Sequence, residues 1–191
     1  NFLNFTDLKN FLDKNIYEIE KLSNKFIENI FIIFQGKEIF NLEIGLKKKN
    51  YNISVTKEYL ENMLIEVKDL FRENYQDYQI MHMIINKYSF NGKSYTKFKE
   101  NLKCDNLSLE IQFKSIPNVV VYDLNKILEN YQIKIIKYLD QSYVNITFDT
   151  DMQISEMSHK ILNGYNENEV IFLPKNTKKL GFFEKFFQLF S

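Results

Sequence analysis

The sequence predicts an α+β fold, and three observations lead to that prediction. Apolar residues recur at helical spacing after Thr56, at Leu60, Leu64 and Val67, as on the buried side of an amphipathic helix. Residues 107–114 alternate strictly between apolar and polar side chains, which is typical of a strand with one buried face. The predicted elements of the middle segment follow in the order strand, helix, strand, strand, helix, strand. This order indicates helices laid on a small, mainly antiparallel sheet.

The amino-terminal segment predicts a helix followed by two extended pieces. Thr6 can cap a helix that runs to about residue 28, because apolar side chains recur there near helical spacing. The apolar run 30–34 indicates a buried strand, which the Gln35-Gly36 pair ends. A second extended piece covers about 39–46.

The next elements carry clear start and stop signals. A lysine-rich loop at 47–49 leads to the helix that Thr56 caps. A strand from about 78 to 88 ends at Asn91-Gly92, which is a good turn signal, and the polar stretch through Asn106 predicts a loop rather than a tight hairpin.

Pro117 ends the alternating strand. A helix over about 118–130 and a strand near 133–138 then complete the predicted unit.

Composition narrows the classes of function. The chain has 191 residues, enough for one good core or two small ones. Its 25 Lys and Arg balance 25 Asp and Glu, so the formal net charge is zero and nucleic acid is not an expected partner. The sequence starts at Asn1 rather than methionine, which indicates a fragment or a trimmed chain.

The cysteine content and the apolar runs bear on location. Cys104 is the single cysteine, so no intrachain disulfide can form and a reducing, cytosolic setting is favoured. The longest apolar run, 30–34, is far shorter than the ~20 residues of a membrane-spanning helix. Any membrane contact is therefore expected to be peripheral.

The last twelve residues, 180–191, have the composition of an amphipathic membrane helix. One half of that helix is apolar and holds Leu180, Phe182, Phe183, Phe186, Phe187, Leu189 and Phe190. Lys178 and Lys179 precede the helix, and Lys185 lies on its polar half, where lysines can meet anionic lipid. The alternative is a terminal helix that docks on the protein's own core.

Candidate catalytic residues are few, and the sequence predicts no enzyme, no cofactor and no metal site. Asp140, Asp149 and Asp151 can form a carboxylate cluster, although capping of loops and helices is the commoner role of such residues. His82 alternates with apolar neighbours and is expected to be a hydrogen-bonded sheet residue. Cys104 lies in a polar stretch without an evident base, which predicts a surface thiol.

Three segments carry a resemblance to a known family. Residues 82–92, 107–113 and 118–131 resemble the inserted subdomain of the bacterial cell division protein FtsA, an actin-like family. That subdomain, called 1C, is a strand-helix-strand-strand (SHS2) module. The segment 7–34 and the lysine-flanked amphipathic end are similar to other parts of the family.

The resemblance implies an organisation in four parts. These are a helix-strand remnant of an actin-like subdomain at 1–37, an SHS2-like domain at 38–148, a remnant and linker at 149–179, and the amphipathic membrane helix at 180–191. The family binds ATP through glycine-rich phosphate loops, which none of the five scattered glycines here matches. Nucleotide binding is therefore not expected.

By resemblance, the expected role is that of a peripheral membrane adaptor on the cytoplasmic side of the bacterial cell membrane. Expected partners are divisome proteins, with the tubulin-like FtsZ as a further candidate, and a second copy of the chain. Ser108, Glu110 and Gln112 on the alternating strand are the candidate partner-binding residues if that strand lies at an edge of the sheet.

Two alternatives stay open at the level of the sequence. The type IV pilus assembly protein PilM shares the actin-like core and the SHS2 insertion, and a PilM-like protein would bind a short peptide of a partner. A small enzyme using the carboxylates of Asp140, Asp149 and Asp151 would need a pocket that converges on them.

Overall fold

The structure, a computed structural model, describes residues 4–148 and 152–171 and has the predicted α+β fold. The helices of the described residues are α1 (Phe5–Ser23), α2 (Lys57–Asn74), α3 (Asn118–Glu129), α4 (Gln141–Thr147) and α5 (Ile154–Leu162). The strands are β1 (Asn29–Phe34), β2 (Phe40–Ser54), β3 (Tyr78–Phe90), β4 (Lys93–Tyr95), β5 (Lys103–Pro117) and β6 (Lys134–Asp140).

The larger sheet has the strand order β2-β5-β3-β4, and every neighbouring pair in it is antiparallel. The central strand β5 lies between β2 and β3, which are parallel to each other and are connected through α2. This helix begins as predicted, because the Thr56 hydroxyl accepts a hydrogen bond from the N–H of Tyr59 at 3.2 Å.

Helix α2 covers one face of this sheet. Its buried stripe includes the predicted Leu60, Leu64 and Val67 and consists of Leu60, Met63, Leu64, Val67 and Phe71. Leu70 lies at the border of the stripe and is 49% exposed. The Phe71 ring stacks on Phe113 of β5 with 4.6 Å between the ring centroids, so the helix and the central strand share one core.

The second sheet is a parallel pair, β1 and β6, with helices on both of its faces. Ile32 packs towards α1 and α3, whereas Ile33 packs towards α4 and α5. Parallel strands are normally buried on both sides, which explains the continuous apolar run of β1. The strand predicted near 133–138 exists as β6, but it joins β1 and does not complete the larger sheet.

Several predicted local features are wrong. The first helix is capped by Asn4 rather than Thr6, and it ends at Ser23 because Asn24 adopts a left-handed conformation with φ 53°. The lysine-rich segment 47–49 is no loop but part of β2, since β5 continues opposite it. Its position in a paired strand leaves Lys47 and Lys49 exposed in alternation with their neighbours.

Two further corrections concern the segment after β3. Asn91 and Gly92 both have positive φ, at 50° and 82°, and they close a tight two-residue hairpin between β3 and β4 instead of a loop. Cys104 is completely buried in β5, within the core beneath α2, so it is no surface thiol.

Among the described residues, every helix is too short or too polar to span a lipid bilayer. The predicted amphipathic helix at 180–191 lies outside the described residues.

Candidate functional site

The candidate partner-binding residues lie on the face of the larger sheet opposite α2, here called the outer face. Ser108, Glu110 and Gln112 alternate there with the buried residues of β5. Glu110 is exposed and forms an ion pair with Lys87 of β3, with 2.7 Å between Nζ and Oε1. The three residues therefore share one accessible surface.

The strand that carries them is not at an edge. Because β5 pairs with β2 on one side and with β3 on the other, its backbone cannot accept another chain. The prediction that this strand binds a partner by edge pairing is wrong. A partner could contact β5 only through the side chains on its outer face.

One end of the outer face is covered by helices of the second sheet. Ile84 of β3 packs into a buried cluster with Tyr143 and Val144 of α4 and with Met157 and Ile161 of α5. This cluster joins the two sheets and leaves the opposite end of the outer face, at Ser108 and Glu110, open.

The segment 165–171 lies along the free edge of β3. The N–H of Ile85 donates to the carbonyl of Asn168 at 2.9 Å, and the N–H of Val170 donates to the carbonyl of Met83 at 2.8 Å. β4 pairs with the far end of β3, at residues 88–90, and this segment protects the part of that edge around residues 83–85.

His82 lies at the centre of a buried polar network. Its Nε2 accepts a hydrogen bond from the N–H of Asp140 at 3.0 Å, so the ring proton is on Nδ1, which donates to Oε1 of Glu169 at 2.8 Å. Burial lowers the pKa of His82 below 6.5, and this effect outweighs the attraction of the Glu169 carboxylate. His82 is therefore neutral, with both nitrogens engaged, as expected for a hydrogen-bonded sheet residue.

Glu169 anchors the segment along β3 through its carboxylate. Oε2 accepts from the Tyr143 hydroxyl at 2.9 Å, and Lys137 Nζ approaches Oε1 at 3.8 Å. Burial raises the pKa of Glu169, but the hydrogen bond from His82 and the charge of Lys137 outweigh it and hold that pKa below 4.5. Glu169 thus stays ionised with its side chain 3% exposed.

A second buried contact connects β5 to the start of α4. Lys114 Nζ donates to Oδ2 of Asp140 at 2.6 Å, and the side chains are 10% and 2% exposed. Asp140 also caps α4, because its Oδ1 accepts from the N–H of Ser142 at 2.9 Å. Burial raises the pKa of Asp140, but Lys114 and Ser142 lower it further, so that the net shift is downward from 3.8.

These contacts indicate a structural junction rather than a set of reactive groups. Neither nitrogen of His82 is free to take a proton, and the carboxylate of Asp140 is engaged by a cation and a helix start. Asp149 and Asp151, the other carboxylates of the predicted cluster, lie outside the described residues. Within the described part of the chain, no group of His, Cys, Asp and Glu side chains has the arrangement of a metal site.

A cleft of about 580 Å³ lies where the outer face meets α4 and the segment 165–168. Gln112 and Asn86 line it from the sheet, Ile146 and Tyr143 from α4, and Asn168 from the loop. Ile146 is 83% exposed at its rim. A smaller recess of about 230 Å³ lies beside Asp140, between the start of β2 and α4.

The chain matches no family model and no curated protein.

The buried polar network of His82, Lys114, Asp140 and Glu169, here called the polar junction, contains residues that the sequence patterns did not mark. Lys114 occupies a polar position of the alternating strand, which indicated exposure, yet β6 and α4 bury it. No pattern marks Glu169 or Tyr143, because their partners are far away in the sequence. The predicted membrane residues 178–190 lie outside the described residues and stay a prediction.

The neutral state of His82 predicts a loss of stability in mild acid. Its pKa in the folded state is below 6.5, so the unfolded chain binds a proton that the folded chain does not, and stability falls as the pH drops below about 6.5. One such group accounts for at most about 1.4 kcal/mol per pH unit. We expect the midpoint of thermal unfolding to decrease from pH 7 to 5.5.

The matched variants are His82→Gln and His159→Gln, which alters an exposed histidine on α5. The first should flatten the pH dependence in this range, whereas the second should keep it. A flat wild-type profile would contradict the lowered pKa of His82, and an unchanged slope in His82→Gln would assign the pH dependence to other groups.

Proposed function

We propose that this chain is a peripheral membrane adaptor of bacterial cell division, similar in role to FtsA, and that it works by binding. The observation that carries the proposal is the unit β2-α2-β3-β5. With the three-residue hairpin strand β4 between β3 and β5 set aside, it has the strand-helix-strand-strand order of the SHS2 module that the sequence resembles, and α2 packs on the sheet formed by its strands.

The parallel pair supports the same proposal. β1 and β6 have helices on both faces, which is the layering of an α/β subdomain, and they flank the SHS2-like unit in the sequence. An actin-like subdomain interrupted by an inserted module would have this arrangement. The four-part division of the chain, with boundaries near 37, 148 and 179, is part of the proposal.

The junction around His82 and Asp140 gives the adaptor a defined surface. It ties the larger sheet to β6 and α4 through buried hydrogen bonds, which fixes one end of the outer face. The open end, with Ser108 and Glu110, and the cleft beside Gln112 are then the surfaces for divisome partners.

The membrane contact is assigned to residues 178–190 at the inner face of the cytoplasmic membrane. Aromatic side chains would enter the boundary between headgroups and acyl chains, while the lysines meet anionic lipid.

A fluorescent fusion of the full chain in dividing bacteria tests the whole proposal, with enrichment at the septum as the expected result. Even distribution along the membrane would leave the anchor but reject the division role, and a cytosolic signal would reject both.

The lysines before the predicted helix should contribute a salt-dependent part of membrane binding. We expect Lys178→Glu with Lys179→Glu to weaken flotation of the full chain mainly on anionic vesicles and mainly at low salt. The reason is that this attraction is screened over ~10 Å at 0.1 M salt. Flotation on neutral vesicles is the control, and an equal loss on both vesicle types would contradict an electrostatic role.

A further inference from the structure

β2 is the long, open edge of the larger sheet. Among the described residues it pairs only with β5, whereas the opposite edge is covered by β4 and by the segment 168–170. A strand of 15 residues with one free side presents a row of unpaired N–H and C=O groups. Such an edge is a site for pairing with another chain.

The direction of these groups follows from one contact. The Phe40 carbonyl accepts a hydrogen bond from Oγ of Ser115, its direct partner on β5, at 3.2 Å. Phe40 therefore directs its backbone groups towards β5, and by alternation the odd-numbered residues from 41 to 47 direct theirs to the free edge. The side chains of these odd residues are exposed, while those of the even residues from 40 to 46 are half-buried.

We propose that two copies of this chain join through β2, antiparallel about a two-fold axis at Gly45, into one continuous sheet with four strands from each copy. The partner is thus a second copy, and the interface is isologous. The proposal gives a surface and a register to the self-association expected of the adaptor. The biological role of this dimer rests on the proposed function, whereas its geometry follows from the edge strand β2 alone.

Charge complementarity favours this register. With Gly45 opposite its own copy, Glu43 of each chain faces Lys47 of the other, which gives two opposite-charge pairs on the outer face. Neither Glu43 nor Lys47 has an ion-pair partner within residues 4–148 and 152–171. Lys48, by contrast, is on the other face and already pairs with Glu66 of α2.

The apolar residues agree with the same register. On the α2 side of the sheet, Ile44 of each copy would face Leu46 of the other, and both side chains are half-buried in the single chain. Gly45 has open space where a Cβ would lie, so at the axis no side chain projects from the outer face and none separates the two charge pairs.

The two registers shifted by one pair of residues to either side are less favourable. An axis at Lys47 would set this lysine against its own copy, and an axis at Glu43 would do the same with two carboxylates. Like charges directly opposite each other destabilise a strand pair.

The test is a charge swap, measured by sedimentation velocity on the full chain. The parent carries Phe183→Glu and Phe187→Glu, so that the tail does not contribute to association. The parent should dimerise, and Glu43→Lys or Lys47→Glu should each raise the dimer dissociation constant at least about tenfold, because both cross-strand pairs become repulsive.

Two combinations of these changes should restore dimerisation, which makes the test specific for this register. The double variant Glu43→Lys/Lys47→Glu should dimerise like the parent, and so should an equimolar mixture of the two single variants, since every pair is then of opposite charge. Glu61→Lys on α2 and Lys126→Glu on α3 are exposed controls with the same charge changes, and they should leave the dimer intact.

A parent that is monomeric at all soluble concentrations would overturn the proposal, and so would single variants that dimerise unchanged. Association that needs the intact phenylalanine tail would assign the contact to the tail instead. Vesicle flotation of the chain with its natural tail is read separately, so a failed dimer and a failed membrane role are distinguishable.

Discussion

Replacing Phe183 and Phe187 with glutamate is expected to release the protein from membranes. Both residues lie in the middle of the predicted apolar half of the tail. Burying a phenylalanine side chain contributes ~1.5–3 kcal/mol before ordering costs, so losing two of them and adding two charges should shift the binding equilibrium by several powers of ten. We expect the full chain to float with anionic vesicles and the double variant to remain at the bottom of the gradient.

The matched control adds the same two charges on the other half of the tail. Gln188→Glu with Ser191→Glu leaves the apolar half intact, so it should keep most of the flotation. If the phenylalanine variant instead unfolds the domain, as judged by circular dichroism, the tail is a helix docked on the core. An intact chain that never floats with anionic vesicles would also reject the membrane reading.

The fold class could be predicted because it depends on local patterns. Thr56 and the apolar stripe after it define α2, and the alternation at 107–114 defines the core of β5. The wrong predictions concern segments whose conformation depends on pairing with a strand that is distant in the sequence. The segment 47–49 is extended only because β5 lies opposite it, and β6 pairs with β1 across about a hundred residues.

The polar junction could be predicted only in part, for the same reason. His82 was recognisable as a sheet residue from its apolar neighbours, whereas its acceptor Glu169 is 87 residues away and carries no signal of its own. Lys114 occupies a polar position in an alternating strand, and its burial depends on where β6 ends. Whether β5 or β2 forms the edge of the sheet likewise follows from strand order, which the alternation does not encode.

Breaking the buried ion pair between Lys114 and Asp140 is expected to destabilise the fold strongly. Either Lys114→Met or Asp140→Asn leaves the other charge buried without its partner, which typically costs about 3–5 kcal/mol. Urea unfolding should show this loss in the free energy of unfolding. The combination of both changes should cost less than the sum, because no unpaired charge remains.

The control pair is exposed. Lys97 and Glu167 form an ion pair at 2.9 Å with side chains 69% and 71% exposed, so Lys97→Met should cost at most about 1 kcal/mol. A similarly small cost for both single changes at the buried pair would mean that water reaches Lys114 and that the junction does not hold the two sheets together.

Acid provides an independent measure of the same pair. The pKa of Asp140 in the folded state is below 3.8, so its stabilising contribution is complete above that value and is lost as the pH falls through the lower, folded-state pKa. The difference in unfolding free energy between the wild type and Asp140→Asn should therefore be constant near neutral pH and shrink below about pH 4. A difference that persists unchanged in strong acid would show that the carboxylate acts through shape rather than through its charge on Lys114.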